Sequence, residues 1–292
     1  MNSTATTKIP TTEIEIIIEP KSRWLHIDWR SVVERRDLLF LLVRRDFVVK
    51  YKQTVLGPAW FIIQPLLMTL IFTVIFGNVA KIPTDGLPTV LFYLCGLLGW
   101  SYFAQVLSTS GATFTTNADL FTKIYFPRII VPLAVAISNL FAFAIQLVTF
   151  IAFFAYFYFF TAAGETMTLS WSMLLLPFLI LHIAVLALGV GFWLSSLTAK
   201  YRDFQMLQQF LIQIWMYATP IIWPLSQVPE AWRWAMALNP MAAVIESFKL
   251  ILLGSGTVTL PFYAFSLFVS LAIFISGLML FQRTERNFVD TV

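Results

Sequence analysis

Charge is what this sequence has least of. Only 12% of its 292 residues are Asp, Glu, Lys or Arg, against roughly a quarter in an ordinary soluble domain. Cysteine occurs once, at Cys95, which excludes an internal disulfide and any multi-thiolate metal centre. The two histidines, His26 and His182, are far apart in the chain, so a His-rich metal centre is excluded too. No G-x-x-x-x-G-K-[ST] phosphate loop is present, and the chain is therefore not expected to bind ATP in the P-loop manner. What fills the space is apolar: 59% of residues are hydrophobic and the mean hydropathy is +0.81. That composition rules out a disordered chain and a soluble enzyme.

The charges that do occur are grouped. Residues 53–80, 86–118, 129–164, 166–199, 204–229 and 250–282 contain no Asp, Glu, Lys or Arg, and these six gaps hold 190 of the 292 residues. A helix needs about 20 apolar residues to cross about 30 Å of hydrocarbon. Each gap holds one such span, near 59–79, 87–107, 129–160, 173–197, 204–222 and 262–281, the third long enough to tilt. The apolar runs are continuous rather than alternating, which requires helices and not a β-barrel. Six spans place both termini on one side. Sixteen Lys and Arg residues fall on that side and three on the other, so both termini are expected in the cytoplasm. The net charge of +4 thus marks a membrane face and does not point to nucleic acid. No cleavable signal peptide is expected ahead of the first span, since the run 38–43 is short and hemmed by arginines.

Outside the spans lie three further segments. Residues 28–52 read as an amphipathic helix on the cytoplasmic face. Ser31 and Glu34 are spaced as a capping box, and Trp29, Val33, Phe40, Val43, Phe47 and Tyr51 recur at helical spacing. Residues 117–128 read as a short helix capped by Asn117, its apolar residues Leu120, Phe121, Ile124 and Tyr125 at helical spacing, with Pro127 and Pro132 bounding the next turn. Such a helix is either an interfacial connector or a peg for another subunit. Residues 227–256 are broken by Asn239-Pro240 into two pieces, each too short to cross, with Glu246 and Lys249 at i, i+3 where they can pair. This reads as a helical hairpin dipping into the outer leaflet.

Chemistry-bearing groups are sparse. An ion-coupled carrier needs an ionisable group within the membrane. His182 is the single one in the gaps, and it reads as a hydrogen bond between helices. A glycan transferase acting on lipid pyrophosphates needs paired carboxylates for a divalent metal. The outer acids Asp85, Glu165, Glu230 and Glu246 are scattered, so no catalytic or metal site is assigned. Aromatic residues are plentiful. Tyr93, Trp100, Tyr102, Trp215 and Tyr217 lie deep in spans two and five, where they either pack between helices or line a passage for a sugar chain.

Five blocks carry a resemblance: RRDFVVKYKQTVLGPAWFIIQPLL (44–67), NADLFTKIYFPRIIVP (117–132), YRDFQ (201–205), YATPIIWPLSQVP (217–229) and LNPM (238–241). In this order and spacing they resemble the membrane subunits of ABC-type polysaccharide exporters, the permeases for O-antigen, capsule or teichoic-acid chains. The resemblance runs from residue 28 to the C-terminus and leaves the tail 1–27 outside. It implies an all-α inner-membrane permease with a six-span domain over 59–281 and a cytoplasmic C-terminus at 282–292. The permease would pair as a homodimer with two copies of an ATP-binding cassette ATPase, which holds ATP and Mg. The cargo would be a polyprenyl-pyrophosphate-linked glycan, O-antigen foremost. The resemblance further implies an interface helix within 28–58 that includes Arg45, Asp46, Lys50 and Tyr51. It implies a coupling helix with Asn117, Asp119, Leu120, Phe121, Lys123, Phe126, Pro127 and Arg128. It also implies outer gate helices over 229–253 with Pro229, Asn239, Pro240, Glu246 and Lys249. A glycan transferase and an ion-coupled carrier are the alternatives, and both lack the acidic residues they need.

Overall fold

The computed structural model describes residues 29–52, 54–124, 126–165 and 171–288; the tail 1–27, Tyr125 and Glu165's side chain lie outside what is described. Every regular element among the described residues is helical. In chain order they are α1 (Trp29–Glu34), α2 (Arg36–Tyr51), α3 (Trp60–Phe72), α4 (Thr89–Gly111), α5 (Thr113–Thr116), α6 (Ala118–Lys123), α7 (Ile130–Phe160), α8 (Leu176–Lys200), α9 (Asp203–Tyr217), α10 (Glu230–Ala237), α11 (Pro240–Leu253) and α12 (Leu260–Phe288).

Five stretches are long and apolar enough to cross a membrane: Gly57–Val79, Thr89–Gly111, Ile130–Phe160, Trp171–Lys200 and Leu260–Arg286. Each covers most of one of five of the six charge-free gaps, the fourth ending on Lys200 and the last running past its gap to Arg286. The remaining gap departs from expectation. Instead of a full span over 204–222 it holds α9, 15 residues long and thus about 22 Å, followed by non-helical backbone. Pro220 is the cause: it lacks an N–H and its ring clashes with the carbonyl four residues back, so the helix stops at Tyr217. The broken segment is not exposed. Thr219, Pro220, Ile221 and Ile222 are all buried, as irregular backbone at membrane depth has to be. After it come α10 and α11, bent by 103° at Asn239-Pro240.

α4 is the central span, packed against α3, α7, α8, α9 and α11. Glycine lets it be approached from two sides: a Cβ at Gly96 would sit 3.1 Å from Ile221 Cγ2, and one at Gly99 3.0 Å from Ile245 Cδ1. α8 and α12 form the other close pair. A Cβ at Gly189 would lie 2.7 Å from the backbone of Phe274, and one at Gly277 would run into the carbonyl oxygen of Gly189. This is the small-residue contact by which apolar helices associate without a hydrophobic driving force. Gly→Ala in an open helix stabilises by about 0.5–1 kcal/mol. At Gly277 the sign is expected to reverse, with a loss of about 1–3 kcal/mol from overpacking against rigid backbone. Thermal unfolding of Gly277→Ala in detergent checks this; a raised midpoint would contradict the close crossing.

The N-terminal segment is helical but not one helix with one apolar face. It breaks at Arg35, between α1 and α2. Ser31 sits inside α1 and not ahead of it, and Glu34 pairs with Arg30 at 2.9 Å. Val32, Leu42 and Val43 are buried, whereas Val33 and Phe40 are exposed. Arg35 leaves the helical region at φ −103° and ψ 27°, so a single periodicity does not run through both helices. The side chains of Trp29 and Tyr51 lie outside what is described.

Candidate functional site

Two polar assemblies stand at opposite ends of the bundle. The basic end is where α2, α5, α6 and the last turn of α12 meet. α6 has six residues, too few to be stable alone, and its neighbours hold it. Phe121 lies between Phe114 (ring centroids 6.0 Å) and Phe126 (5.8 Å), and Phe114 stacks on Phe281 at 4.7 Å. The Arg128 guanidinium sits 5.1 Å from the Phe121 ring and adds a cation–π contact. Arg128 is also tied to the end of α12: its backbone N–H donates to Glu285 Oε1 at 3.0 Å and its Nη1 to the Glu285 carbonyl at 3.2 Å. Phe281 touches Phe192 of α8. The short helix is therefore joined to α7, α8 and α12 through one aromatic and ionic knot.

This geometry changes the expected roles of the segment's residues. Phe121 is buried at 8% exposure and Phe126 at 5%, so both face the protomer's own interior and not a partner. Leu120 and Pro127 are half-buried. The outward surface is Asp119, Thr122, Lys123 and Ile124, with Ile124 48% exposed. Asn117 stands at the helix start but makes no capping bond. Its Nδ2 donates to the Thr113 carbonyl at 3.1 Å, and its Oδ1 accepts a long 3.5 Å bond from Arg45 Nη2. Arg45 pairs with Asp46 at 2.8 Å. Lys50 donates to Asn139 Oδ1 of α7 at 2.6 Å, and Asn139 Nδ2 donates onward to the Val135 carbonyl at 2.8 Å. Desolvation lowers the Lys50 pKa, with Asp46 opposing.

The hairpin end is built on two side chains. Asn239 caps α11 through Met241 N–H (3.1 Å) and accepts from Trp215 Nε1 (2.8 Å), while its Nδ2 donates to the Ala218 carbonyl and Thr219 Oγ1, both at 3.1 Å. All four of its hydrogen-bonding positions are used. Lys249 Nζ donates to Glu246 Oε1 at 3.1 Å and to the Pro220 carbonyl at 2.6 Å, and lies 4.0 Å from the centre of the Phe92 ring. Glu246 Oε2 accepts from Thr257 N–H at 3.3 Å. The Glu246–Lys249 pairing expected from their spacing is thus present, and both side chains are 2% exposed. Together Asn239 and Lys249 satisfy the carbonyls freed where α9 breaks, and so fix α11 to that break. Pro229 precedes α10 and Pro240 opens α11.

Of the five deep aromatics, three are packing residues. Tyr93 and Phe72 rings meet edge-on at 5.9 Å, Trp100 tilts against Phe103 at 5.2 Å, and Tyr102 donates to the Ala136 carbonyl at 3.2 Å. All three are buried within one protomer and cannot form a wall of any passage without repacking. Trp215 is half-buried and Tyr217 is 50% exposed. His182 bridges α8 to α12, with Nδ1 3.0 Å from Tyr263 Oη and Nε2 2.8 Å from Ser270 Oγ. Both ring nitrogens are engaged in the helix–helix bond its sequence position suggests. Among the described residues no three His, Cys, Asp or Glu side chains converge to hold a metal ion.

The sequence has relatives. The profile of the ABC-2 type transporter family matches residues 37–253. An O-antigen export system permease protein RfbA of Klebsiella pneumoniae is 28% identical over 87% of this chain and 94% of its own length. A protein of the same name from Myxococcus xanthus is 28% identical over 76% of this chain and 82% of its own length. The polysialic acid transport protein KpsM of Escherichia coli is 24% identical over 85% and 93%.

Proposed function

The chain belongs to the ABC-2 type transporter family, and we propose that it is the permease of an ATP-driven polysaccharide exporter of the inner membrane. Its cargo is a polyprenyl-pyrophosphate-linked glycan, most closely O-antigen by the names its relatives carry. The observation that carries a coupled transporter is the knot at the basic end. A surface helix too short to stand alone is fastened by Phe121, Phe126 and Arg128 to the ends of three spans, with a small outward face left open. A partner that moves this helix moves the spans.

In this reading two copies of the chain pair, and two copies of a separate ATPase bind ATP and Mg on the cytoplasmic side. The ATPase grips Asp119, Thr122, Lys123 and Ile124 of α6, with Arg45, Asp46 and Lys50 of α2 alongside. Closure of the ATPases pushes on α6. The Arg128–Glu285 link carries that push to α12 and, across the Gly189–Gly277 contact, to α8. No residue of the chain makes or breaks a covalent bond. The sixth crossing is α9 with the buried segment that follows it, which returns the C-terminus to the cytoplasmic side, as the sixteen-to-three distribution of Lys and Arg supports. The α10–α11 hairpin then closes the outer end.

Deleting the chain from a cell that makes its cargo separates this role from glycan synthesis. Finished lipid-linked polymer is expected to accumulate on the cytoplasmic leaflet while surface polymer disappears. Absence of finished polymer inside would place the chain in synthesis and contradict the proposal.

A further inference from the structure

Residues 204–229 contain no charged group, yet α9 within them is not uniformly apolar. Gln205, Gln209 and Gln213 are all exposed, and Tyr217 continues the series, half-exposed, at the same spacing of four. Residues four apart lie along one ridge of a helix, so these four side chains form a stripe about 18 Å long. A fourth glutamine sets the direction of that stripe. Gln208 Nε2 donates to the Leu107 and Ser108 carbonyls at 3.3 and 2.8 Å. It is seated against Gly111, where a Cβ would come within 2.5 Å of its Oε1. Gln208 faces α4, while the exposed ridge beside it is turned away from the rest of the chain. Met206 and Phe210 flank the ridge, and the outward surface beyond them is Leu207, Leu211 and Ile214, which suits hydrocarbon.

Carboxamides without partners are costly in hydrocarbon, and three on one ridge mark a surface that meets something polar. The absence of charge says what kind. Each carboxamide offers two donors and two acceptor positions, which matches neutral hydroxyl groups and offers no counter-charge to an ion. Tyr217 at the end of the ridge adds an aromatic face for sugar C–H groups. Repeated weak sites, none strong enough to trap, are what a moving chain needs. We propose that Gln205, Gln209, Gln213 and Tyr217 form the wall along which the hydroxyls of the exported glycan slide, an assignment that rests on the polysaccharide reading above.

The test uses the complete transporter in sealed vesicles. Changing Gln205, Gln209 and Gln213 together to Leu is expected to lower export about tenfold or more, as losing hydrogen bonds at a rate-limiting step does. ATPase co-purification and copy-to-copy cross-linking stay at the wild-type level, and the triple Gln→Asn variant recovers most of the export. Normal export by the Leu variant, or loss of cross-linking in step with export, overturns the assignment; the latter makes the ridge a contact between copies. A second measurement does not depend on the cargo. Single cysteines at 205, 209 and 213 in a Cys95→Ser background are expected to react with a membrane-impermeant charged thiol reagent, whereas cysteines at 207 and 211, on the other side of the helix, do not. Equal reactivity on both faces, or none on the ridge, overturns the wall whatever the cargo. If wild type exports no glycan while the ridge labels selectively, the polysaccharide reading fails and the polar wall stands.

Discussion

Lys249→Met is expected to destabilise the protein by about 3–5 kcal/mol, the usual cost of stripping one partner from a buried ion pair. Lys249 and Glu246 are 2% exposed and 3.1 Å apart, so methionine would leave the Glu246 carboxylate buried with only the Thr257 N–H at 3.3 Å to hold its charge. It would also orphan the Pro220 carbonyl, whose bond from Nζ is 2.6 Å, in the segment where α9 has already lost its helix. Combining Lys249→Met with Glu246→Gln is expected to recover much of the loss, because neutral pairs often replace buried ionic ones at little net cost. The exposed Glu230–Arg233 pair, 3.6 Å apart, serves as the internal control. Arg233→Ala is expected to change stability by about 1 kcal/mol or less. Thermal unfolding of the three variants in detergent measures this, and a Lys249→Met midpoint equal to wild type would show that the clasp does not hold the hairpin.

Phe121→Ala is expected to cost about 3–5 kcal/mol, as large-to-small changes in packed cores do. Phe121 fills the space between Phe114, Phe126 and the Arg128 guanidinium, and alanine would leave a hole at the point that fastens α6 to α7 and α12. The variant should therefore lose thermal stability in the isolated permease, before any partner is added. Lys123→Ala and Ile124→Ala should do the reverse: unfolding unchanged, ATPase association weakened. Truncating a well-placed interface anchor costs about 2 kcal/mol or more, which at Ile124 corresponds to a large drop in co-purified ATPase. Wild-type stability in Phe121→Ala together with lost ATPase association would return Phe121 to the partner-facing side.

The sequence alone does not separate these roles. Helical spacing identifies Leu120, Phe121 and Ile124 as apolar, but periodicity cannot say whether an apolar side chain looks inward or toward another subunit. What decides it is Phe281 and Glu285, more than 150 residues away in the chain, and no local pattern announces them. The same holds for the deep aromatics. Tyr93, Trp100 and Tyr102 sit on α4, which turned out to be the central helix, while Tyr217 on the peripheral α9 stayed exposed. Charge-free gaps, by contrast, are a local property with a strong physical cause, and five of the six contain a full-length helix. The sixth is shortened by Pro220, a residue visible in the sequence whose effect could have been applied. The glutamines of α9 were equally visible: uncharged, they pass through a search for ionisable groups, although amides in an apolar segment carry their own message. The Glu246–Lys249 pair was legible from i, i+3 spacing alone, but not its burial, which requires Phe92 and Pro220 from elsewhere in the fold.

The central claim is that this chain moves a lipid-linked glycan only when a separate ATPase drives it. Purified permease, reconstituted with and without the ATPase that co-purifies from its host, can be loaded with labelled polyprenyl-pyrophosphate glycan, and transfer of the glycan across the vesicle membrane followed on adding ATP. Transfer is expected only when both proteins and hydrolysable ATP are present, with no ATP binding by the permease alone. Transfer by the permease alone at the same rate, with or without ATP, would contradict the account.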